Sequence, residues 1–172
     1  MTFATRILMM TLAGCLLVGT VSCTHNLKET RLEQPGARSS LLIAGDASEF
    51  KDGIRMAIID RYRSTCNIDI INIDRLPKTN ENDYDAVLIM DTCLAWSNFN
   101  PSVKAFLSKS QNRNVVFFMT ADDPDWTFTY NGVDAITSAS EKENQEAMVR
   151  RLIAAIDEIL ERSSHTSVVP RN

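Results

Sequence analysis

The chain has 172 residues, with 18 lysines and arginines against 22 aspartates and glutamates, so its formal net charge is −4. Nucleic-acid-binding surfaces are strongly basic, and this composition gives no indication of one. The length is enough for one domain with a buried core, and we find no internal repeat that would indicate an array.

The first 22 residues have the pattern of an export signal. Arg6 is the only charged residue before Lys28, and an apolar stretch runs from Ile7 to Val21. The stretch ends in Gly19-Thr20-Val21-Ser22-Cys23, which resembles the lipobox of bacterial lipoproteins. The resemblance implies a signal peptide over residues 1–22 and a lipid on Cys23. It also implies location in the bacterial cell envelope, on a membrane surface that faces the periplasm.

Two alternatives remain open for this segment. Leu12-Ala13-Gly14-Cys15 matches the lipobox letters more closely, but cleavage before Cys15 would leave Leu16 to Val21 as an apolar N-terminus. The other alternative is an uncleaved anchor helix, although the apolar run is barely long enough to span a bilayer.

Residues 23–39 follow as a polar segment that contains Pro35-Gly36 and shows no periodicity. This composition predicts a tether between the lipid and a folded domain at residues 40–162. Residues 163–172 have a similar composition and are predicted to form a flexible tail.

The first half of the domain alternates between strand and helix patterns. A short apolar run at Ser40 to Ala44 predicts a strand, and apolar residues at every fourth position then predict a helix with one buried stripe (Phe50, Ile54, Ile58 and Tyr62). Isoleucines at 68, 70, 71 and 73 predict a second strand. The continuous apolar run from Ala86 to Met90 predicts a third, covered on both faces.

The second half repeats this alternation. Asn100-Pro101 predicts the cap and first turn of a helix whose buried side carries Val103, Phe106 and Leu107. Strands are predicted at Val115 to Met119 and Val133 to Ile136. Ser140 and Glu143 have the spacing of a capping box before a last long helix. Five strands that alternate with helices predict a parallel sheet in a three-layer α/β sandwich.

Several of these segments together resemble a known family. They are Asn82 to Ile89, Ala95-Trp96, Asn100-Pro101-x-Val103-x-x-Phe106-Leu107 and Val115 to Phe118. The arrangement is similar to flavodoxin-type proteins, in particular the short-chain branch that includes menaquinone-dependent protoporphyrinogen oxidase. The resemblance covers about residues 40 to 160 and implies strand order 2-1-3-4-5, with a ligand crevice beyond the carboxyl end of strand 1.

The loop after the first strand occupies the phosphate-binding position of that family. It keeps Gly45 and Ser48 but also contains Asp46 and Glu49. A phosphate group needs converging N–H groups and no fixed negative charge nearby. The two carboxylates therefore predict a degraded FMN phosphate loop.

Three aromatic residues are candidates for contact with a flavin ring. The resemblance implies that Trp96 would cover one face, while Trp126 and Tyr130 on another loop would cover the opposite face. The alternative is that the two tryptophans pack over the ends of the sheet.

These observations leave two functions. The first is an accessory or binding domain, anchored to the membrane through its lipid, which has kept the fold and lost the cofactor. The second is an FMN-binding electron-transfer protein or oxidoreductase at the membrane surface. The sequence does not identify a protein or redox partner, and two isolated histidines, His25 and His165, predict no metal site.

Three other functions are less consistent with the sequence. A receiver-type phosphoryl acceptor would use Asp46 and Asp91, but it needs a lysine where Thr137-Ser138-Ala139 stands. A serine esterase needs an oriented base, and both histidines lie in the chain ends. The sequence around Ser140 resembles one at which FMN is attached covalently, with Ser140 as the acceptor, but helix capping also explains this serine.

Cys66 and Cys93 are predicted to lie at opposite ends of the sheet as separate thiols.

Overall fold

The computed structural model describes residues 27–93, 99–123 and 126–166. The predicted signal peptide, Cys23, Trp96 and residues 167–172 lie outside the described residues. Seven strands are present in the described part, at Thr30–Leu32 (β1), Ser39–Gly45 (β2), Cys66–Asn72 (β3), Ala86–Thr92 (β4), Val115–Thr120 (β5), Thr129–Tyr130 (β6) and Val133–Ser138 (β7). The α-helices are Glu49–Tyr62 (α1), Pro101–Lys109 (α2) and Gln145–Thr166 (α3), and short 3-10 helices lie at Ile73–Lys78, Glu81–Asp83 and Lys142–Asn144.

The strands form one sheet in the order β1-β3-β2-β4-β5-β7-β6. The five inner strands are parallel, and numbered among themselves along the chain they have the order 2-1-3-4-5. This confirms the predicted α/β fold with flavodoxin-like strand order. The two outer strands are antiparallel additions that the sequence analysis did not predict.

Apolar runs on the inner strands produce two cores, one on each face of the sheet. Along β2, Leu41 and Ile43 face α1 and α3, whereas Leu42 and Ala44 face α2 and the 3-10 helix Ile73–Lys78. Every residue from Ala86 to Asp91 in β4, and every residue of β5, is buried. Because both faces are covered, the layers are helix, sheet and helix.

The buried faces predicted for the helices are confirmed. Phe50, Ile54, Ile58 and Tyr62 of α1 are all in the core. The helix α2 begins at Pro101, and the side chain of Asn100 caps it by accepting a hydrogen bond from Ser102 N at 2.8 Å. In α3 the buried residues are Met148, Leu152, Ile156 and Ile159.

The structure differs from the sequence analysis at both ends of the domain. Thr30–Leu32, within the segment predicted as a tether, pairs with β3, and Leu27 and Leu32 pack against the core. The helix α3 continues to Thr166, into the segment predicted as a tail.

The predicted capping box is wrong. The helix α3 begins at Gln145 and is preceded by the 3-10 helix Lys142–Asn144, whose cap is Glu141. No hydrogen bond from a side chain caps that turn, and Ser140 is exposed. Within the described ranges, no helix is both long and apolar enough to cross a membrane.

Candidate functional site

The candidate site lies at the edge of the sheet where the parallel strands end, which we call the carboxyl edge. Gly45 ends β2 and lies opposite Met90 of β4. A Cβ atom on Gly45 would lie 2.9 Å from the carbonyl oxygen of Met90. Glycine is therefore needed here because the two strands approach closely at the carboxyl edge.

The loop from Asp46 to Ser48 leads directly into α1. Ser48 has extended backbone angles, φ −153° and ψ 152°, and its Oγ accepts a hydrogen bond from Lys51 N at 3.2 Å. Its carbonyl oxygen accepts from Asp52 N at 2.7 Å. The loop thus ends in an ordinary N-cap, with Ser48 serving the helix itself.

A buried lysine lies under this loop. The side chain of Lys51 is only 1% exposed, and its Nζ donates hydrogen bonds to the carboxylate of Asp46 and, at 2.7 Å, to Thr92 Oγ1. Thr120 Oγ1 lies 3.3 Å from the same Thr92 oxygen. The ammonium group therefore joins the ends of β2, β4 and β5, and its charge is neutralised within the protein.

Arg55, one turn further along α1, is the second buried cation. Its Nη2 donates to the main-chain oxygen of Asp46 at 2.7 Å, and its Nη1 pairs with Asp52. Its Nε is buried and has no hydrogen-bond partner among the described residues. Lys51 and Arg55 thus hold Asp46 by its side chain and by its backbone.

Asp91, near the end of β4, binds backbone N–H groups on both sides of the segment that follows this strand. One carboxylate oxygen accepts from Thr92 N at 2.8 Å and the other from Asn100 N at 2.9 Å. Burial raises the pKa of Asp91, the two backbone hydrogen bonds act in the opposite direction, and the nearby Asp46 also raises it. Both oxygens of Asp91 are therefore used to join the two ends of this loop.

The aromatic candidates lie on the α2 side of the sheet. Trp126 is half-buried and stacks on Phe128 with a centroid distance of 5.3 Å. The ring of Tyr130 packs edge-on against Phe99 at 4.9 Å, and its hydroxyl oxygen lies 2.9 Å from Ser108 Oγ. Both residues belong to a cluster of aromatic side chains. Their role as walls of a flavin site, with Trp96, stays a prediction.

Sequence reasoning missed the buried cations. Lys51 and Arg55 each follow a buried residue of α1 by one position, so they lie at the margin of its apolar stripe. That position is the only signal of their burial in the sequence. It does not distinguish a buried from an exposed cation, because long cationic side chains at such margins usually reach solvent. Their burial depends on Asp46 and Thr92, which other elements supply.

The two cysteines of the described residues lie at opposite edges of the sheet. Cys66 and Cys93 are both free thiols, at the start of β3 and just after β4, as predicted. Among the residues that the structure describes, no group of three or more histidine, cysteine, aspartate or glutamate side chains is arranged to hold a metal ion.

The strand order defines an open α/β domain of flavodoxin-like topology. No protein-family model matches the sequence, and no curated protein matches it. Among solved structures, the chain is similar to oxidised flavodoxin 2 from Bacillus cereus, with 13% identity and a TM-score of 0.47, over 70% of this chain and 99% of that one. It is also similar to oxidised flavodoxin 1 from Bacillus cereus, with 12% identity and a TM-score of 0.41, over 69% and 97% of the two chains. The classification therefore rests on the strand order and not on these similarities.

Proposed function

We propose that this chain is a membrane-anchored accessory or binding domain, in which a flavodoxin-like crevice has lost the loop that binds the phosphate of FMN. The observation that carries this proposal is the ion pair between the buried Lys51 and Asp46 of that loop. Lys51 Nζ already donates to Asp46 and to Thr92 Oγ1, so this cation is not available to a bound phosphate.

The hydrogen-bond donors of the loop support the same conclusion. A phosphate at a helix N-terminus is bound by backbone N–H groups of the first turn. In this chain the N–H groups of Lys51 and Asp52 are already bonded to Ser48. Fewer donors therefore remain for a ligand than in a loop that is open to an anion.

The charge around the loop also disfavours a phosphate. Asp46 is 45% exposed, and Glu49, Asp122 and Asp123 are exposed near the same edge. Like charges a few ångströms apart repel by about 1 kcal/mol in water and by more where the dielectric constant is lower. The residues present are therefore a poor fit to the phosphate of FMN.

The second candidate is an FMN-binding electron-transfer protein or oxidoreductase. It is favoured by the position of the crevice, since ligands of open α/β sheets bind at this switch point. The half-buried Trp126 beside the loop after β5 would be its aromatic contact. In that case contacts with the flavin ring, and not with the phosphate, would supply most of the affinity for FMN.

Titration with FMN and with riboflavin separates the two candidates. The purified domain should be colourless, and tryptophan fluorescence should not change when micromolar FMN is added. Quenching by FMN with weaker quenching by riboflavin would show a working phosphate site and would refute the proposal. Quenching by both to the same extent would show a ring site without a phosphate site. The control variant is Glu49→Gln, which removes an exposed carboxylate from the first turn of α1 without changing the loop.

Membrane anchoring is tested separately by labelling. We expect radioactive palmitate to enter the chain when it is expressed in bacteria, and Cys23→Ala to abolish the label. Unchanged labelling of this variant would move the site to Cys15 or refute the anchor, and Cys15→Ala distinguishes these outcomes.

A further inference from the structure

A hollow of about 500 Å³ lies at the edge of the sheet where the parallel strands begin, which we call the amino edge. Ser39 and Cys66, the first residues of β2 and β3, lie opposite each other and both line it. The other lining residues come from the end of α1 and the turn after it, from the segment before β2, and from α3. Sites for small molecules have volumes of about 300–1,000 Å³, so this hollow is large enough for a compact ligand.

One arginine of the hollow is oriented by a chain of contacts that begins in the core. The hydroxyl of Tyr62, a residue that is only 2% exposed, donates to Asp157 Oδ1 at 2.8 Å. The other carboxylate oxygen, Oδ2, accepts from Arg61 Nη2 at 3.3 Å, and the guanidinium carbon of Arg61 lies 5.4 Å from the centre of the Tyr62 ring. Both oxygens of Asp157 are therefore used, while the other N–H groups of Arg61 have no acceptor among the described residues.

Further donors without acceptors line the same hollow. Arg38, just before β2, forms no ion pair or hydrogen bond within the part of the chain that the structure describes. The hydroxyl groups of Ser39 and Ser64 have no partner there either. Asp157 is the one carboxylate among the described lining residues and it is paired, so the two arginines give the hollow a net positive charge.

The end of α1 does not cancel this charge. Carbonyl oxygens at the carboxyl end of a helix carry partial negative charge. Here the carbonyl oxygen of Tyr62 accepts from Thr65 N at 2.9 Å, and that of Ile59 accepts from Arg63 N at 2.8 Å. These carbonyl groups are thus bonded within the chain, and the guanidinium groups of the hollow remain available to a ligand.

We propose that the hollow at the amino edge binds a phosphoryl group, either as the free ion or as the phosphate ester of a small organic molecule. A phosphoryl group offers three strong acceptor oxygens, whereas a carboxylate offers two. The larger number matches two guanidinium groups and two hydroxyl groups better, and guanidinium groups bind such oxygens in pairs. The site lies at the opposite edge of the sheet from the candidate crevice, so it depends neither on that crevice nor on the lipid anchor.

Amide resonances of isotopically labelled protein test the site. Inorganic phosphate, glycerol 3-phosphate and acetate are each titrated at a constant ionic strength of about 0.1 M, where charges more than about 10 Å apart are largely screened. We expect the two phosphates to shift the amides of residues 38–39 and 61–66, and acetate to shift them far less. Small shifts spread over the whole surface would overturn the site, and equal shifts with acetate would overturn the ligand class. Tighter binding of glycerol 3-phosphate than of phosphate would identify an ester as the ligand, and equal binding would identify the free ion.

Two variants and a matched control locate the contacts. Arg38→Gln and Arg61→Gln should each weaken phosphate binding by roughly tenfold or more, because each removes hydrogen bonds between charged groups. The control, Arg63→Gln, removes the same charge beside the end of α1, but Arg63 pairs with Asp60 at 3.5 Å and does not line the hollow. It should change the affinity by less than about twofold.

All three arginines are exposed, so the urea midpoints of the variants should stay close to that of the unsubstituted chain. An equal loss of affinity in all three variants would show only general attraction to a basic surface and would overturn the proposal. Undiminished binding in both Arg38→Gln and Arg61→Gln would overturn it as well.

Discussion

The ion pair between Lys51 and Asp46 leads to different predictions for its two partners, because only Lys51 is buried. The side chain of Lys51 is 1% exposed, whereas that of Asp46 is 45% exposed. Asp46→Ala would remove the carboxylate partner of a deeply buried ammonium group and leave Thr92 Oγ1 as its one hydrogen-bond partner among the described residues. Lys51→Met would leave a carboxylate that already contacts solvent.

The expected costs follow from this difference in exposure. Removal of one partner of a buried pair costs about 3–5 kcal/mol. Because Asp46 is partly exposed, we expect Asp46→Ala to lie near the lower end of this range. Lys51→Met should cost about 1 kcal/mol or less, as breaking exposed pairs does. The double variant should be more stable than Asp46→Ala alone, since it leaves no buried charge unpaired.

Urea unfolding measures these changes. With a urea slope of about 2 kcal/mol per M, a loss of 3 kcal/mol lowers the midpoint by about 1.5 M. The control is Glu49→Ala, an exposed acidic residue in the same loop region, which should change the free energy of unfolding by about 0.5 kcal/mol or less. A larger cost for Lys51→Met than for Asp46→Ala, or additive costs in the double variant, would refute the reasoning.

Three further predictions concern other parts of the domain. Gly45→Ala should lower the free energy of unfolding by about 1–3 kcal/mol in urea, because its Cβ would lie 2.9 Å from the Met90 carbonyl oxygen; an unchanged midpoint would contradict the close approach. Burial, with the hydrogen bond to Asp69, raises the pKa of Tyr84 from 10.0 to about 12. The pKa of Tyr84 is higher in the folded than in the unfolded state, so its contribution to stability is complete below pH 10 and is lost between pH 10 and 12. Over this range the free energy of unfolding should fall less steeply with pH in Tyr84→Phe than in the unsubstituted chain, and an unchanged slope would be inconsistent with the shift. Burial raises the pKa of the Cys66 thiol, so in a Cys93→Ala variant that lacks residues 1–23 Ellman's reagent should react only after unfolding, and reaction of the native variant at the rate of free cysteine would show that Cys66 is accessible.

The inner sheet could be predicted from the sequence because its strands are buried on both faces. Ala86 to Met90 and Val115 to Met119 are continuous apolar runs, which in an alternating α/β pattern indicate central parallel strands. The helices were predictable for a similar reason, since the spacing of Phe50, Ile54 and Ile58 matches one face of a helix. Strong local patterns and the tertiary structure agree at these elements.

The remaining features depend on contacts between distant segments. The strand β1 has only three residues, too few for a periodic pattern, and it forms because β3 offers an unpaired edge. The pairing of Lys51 with Thr92 joins residues 41 positions apart, and no local pattern indicates it. The sequence analysis identified the acidic character of the loop after β2 but not the lysine that neutralises it.

The two outer strands have a consequence for self-association. The strand β1 ends the sheet with three residues, of which Arg31 lies within 3.7 Å of carboxylates on Glu33 and Asp69, and β6 ends it with two. Short, charged borders of this kind offer few free backbone groups to a second molecule. Continuous sheets that run from one molecule to the next are therefore disfavoured, even at high local concentrations of the chain.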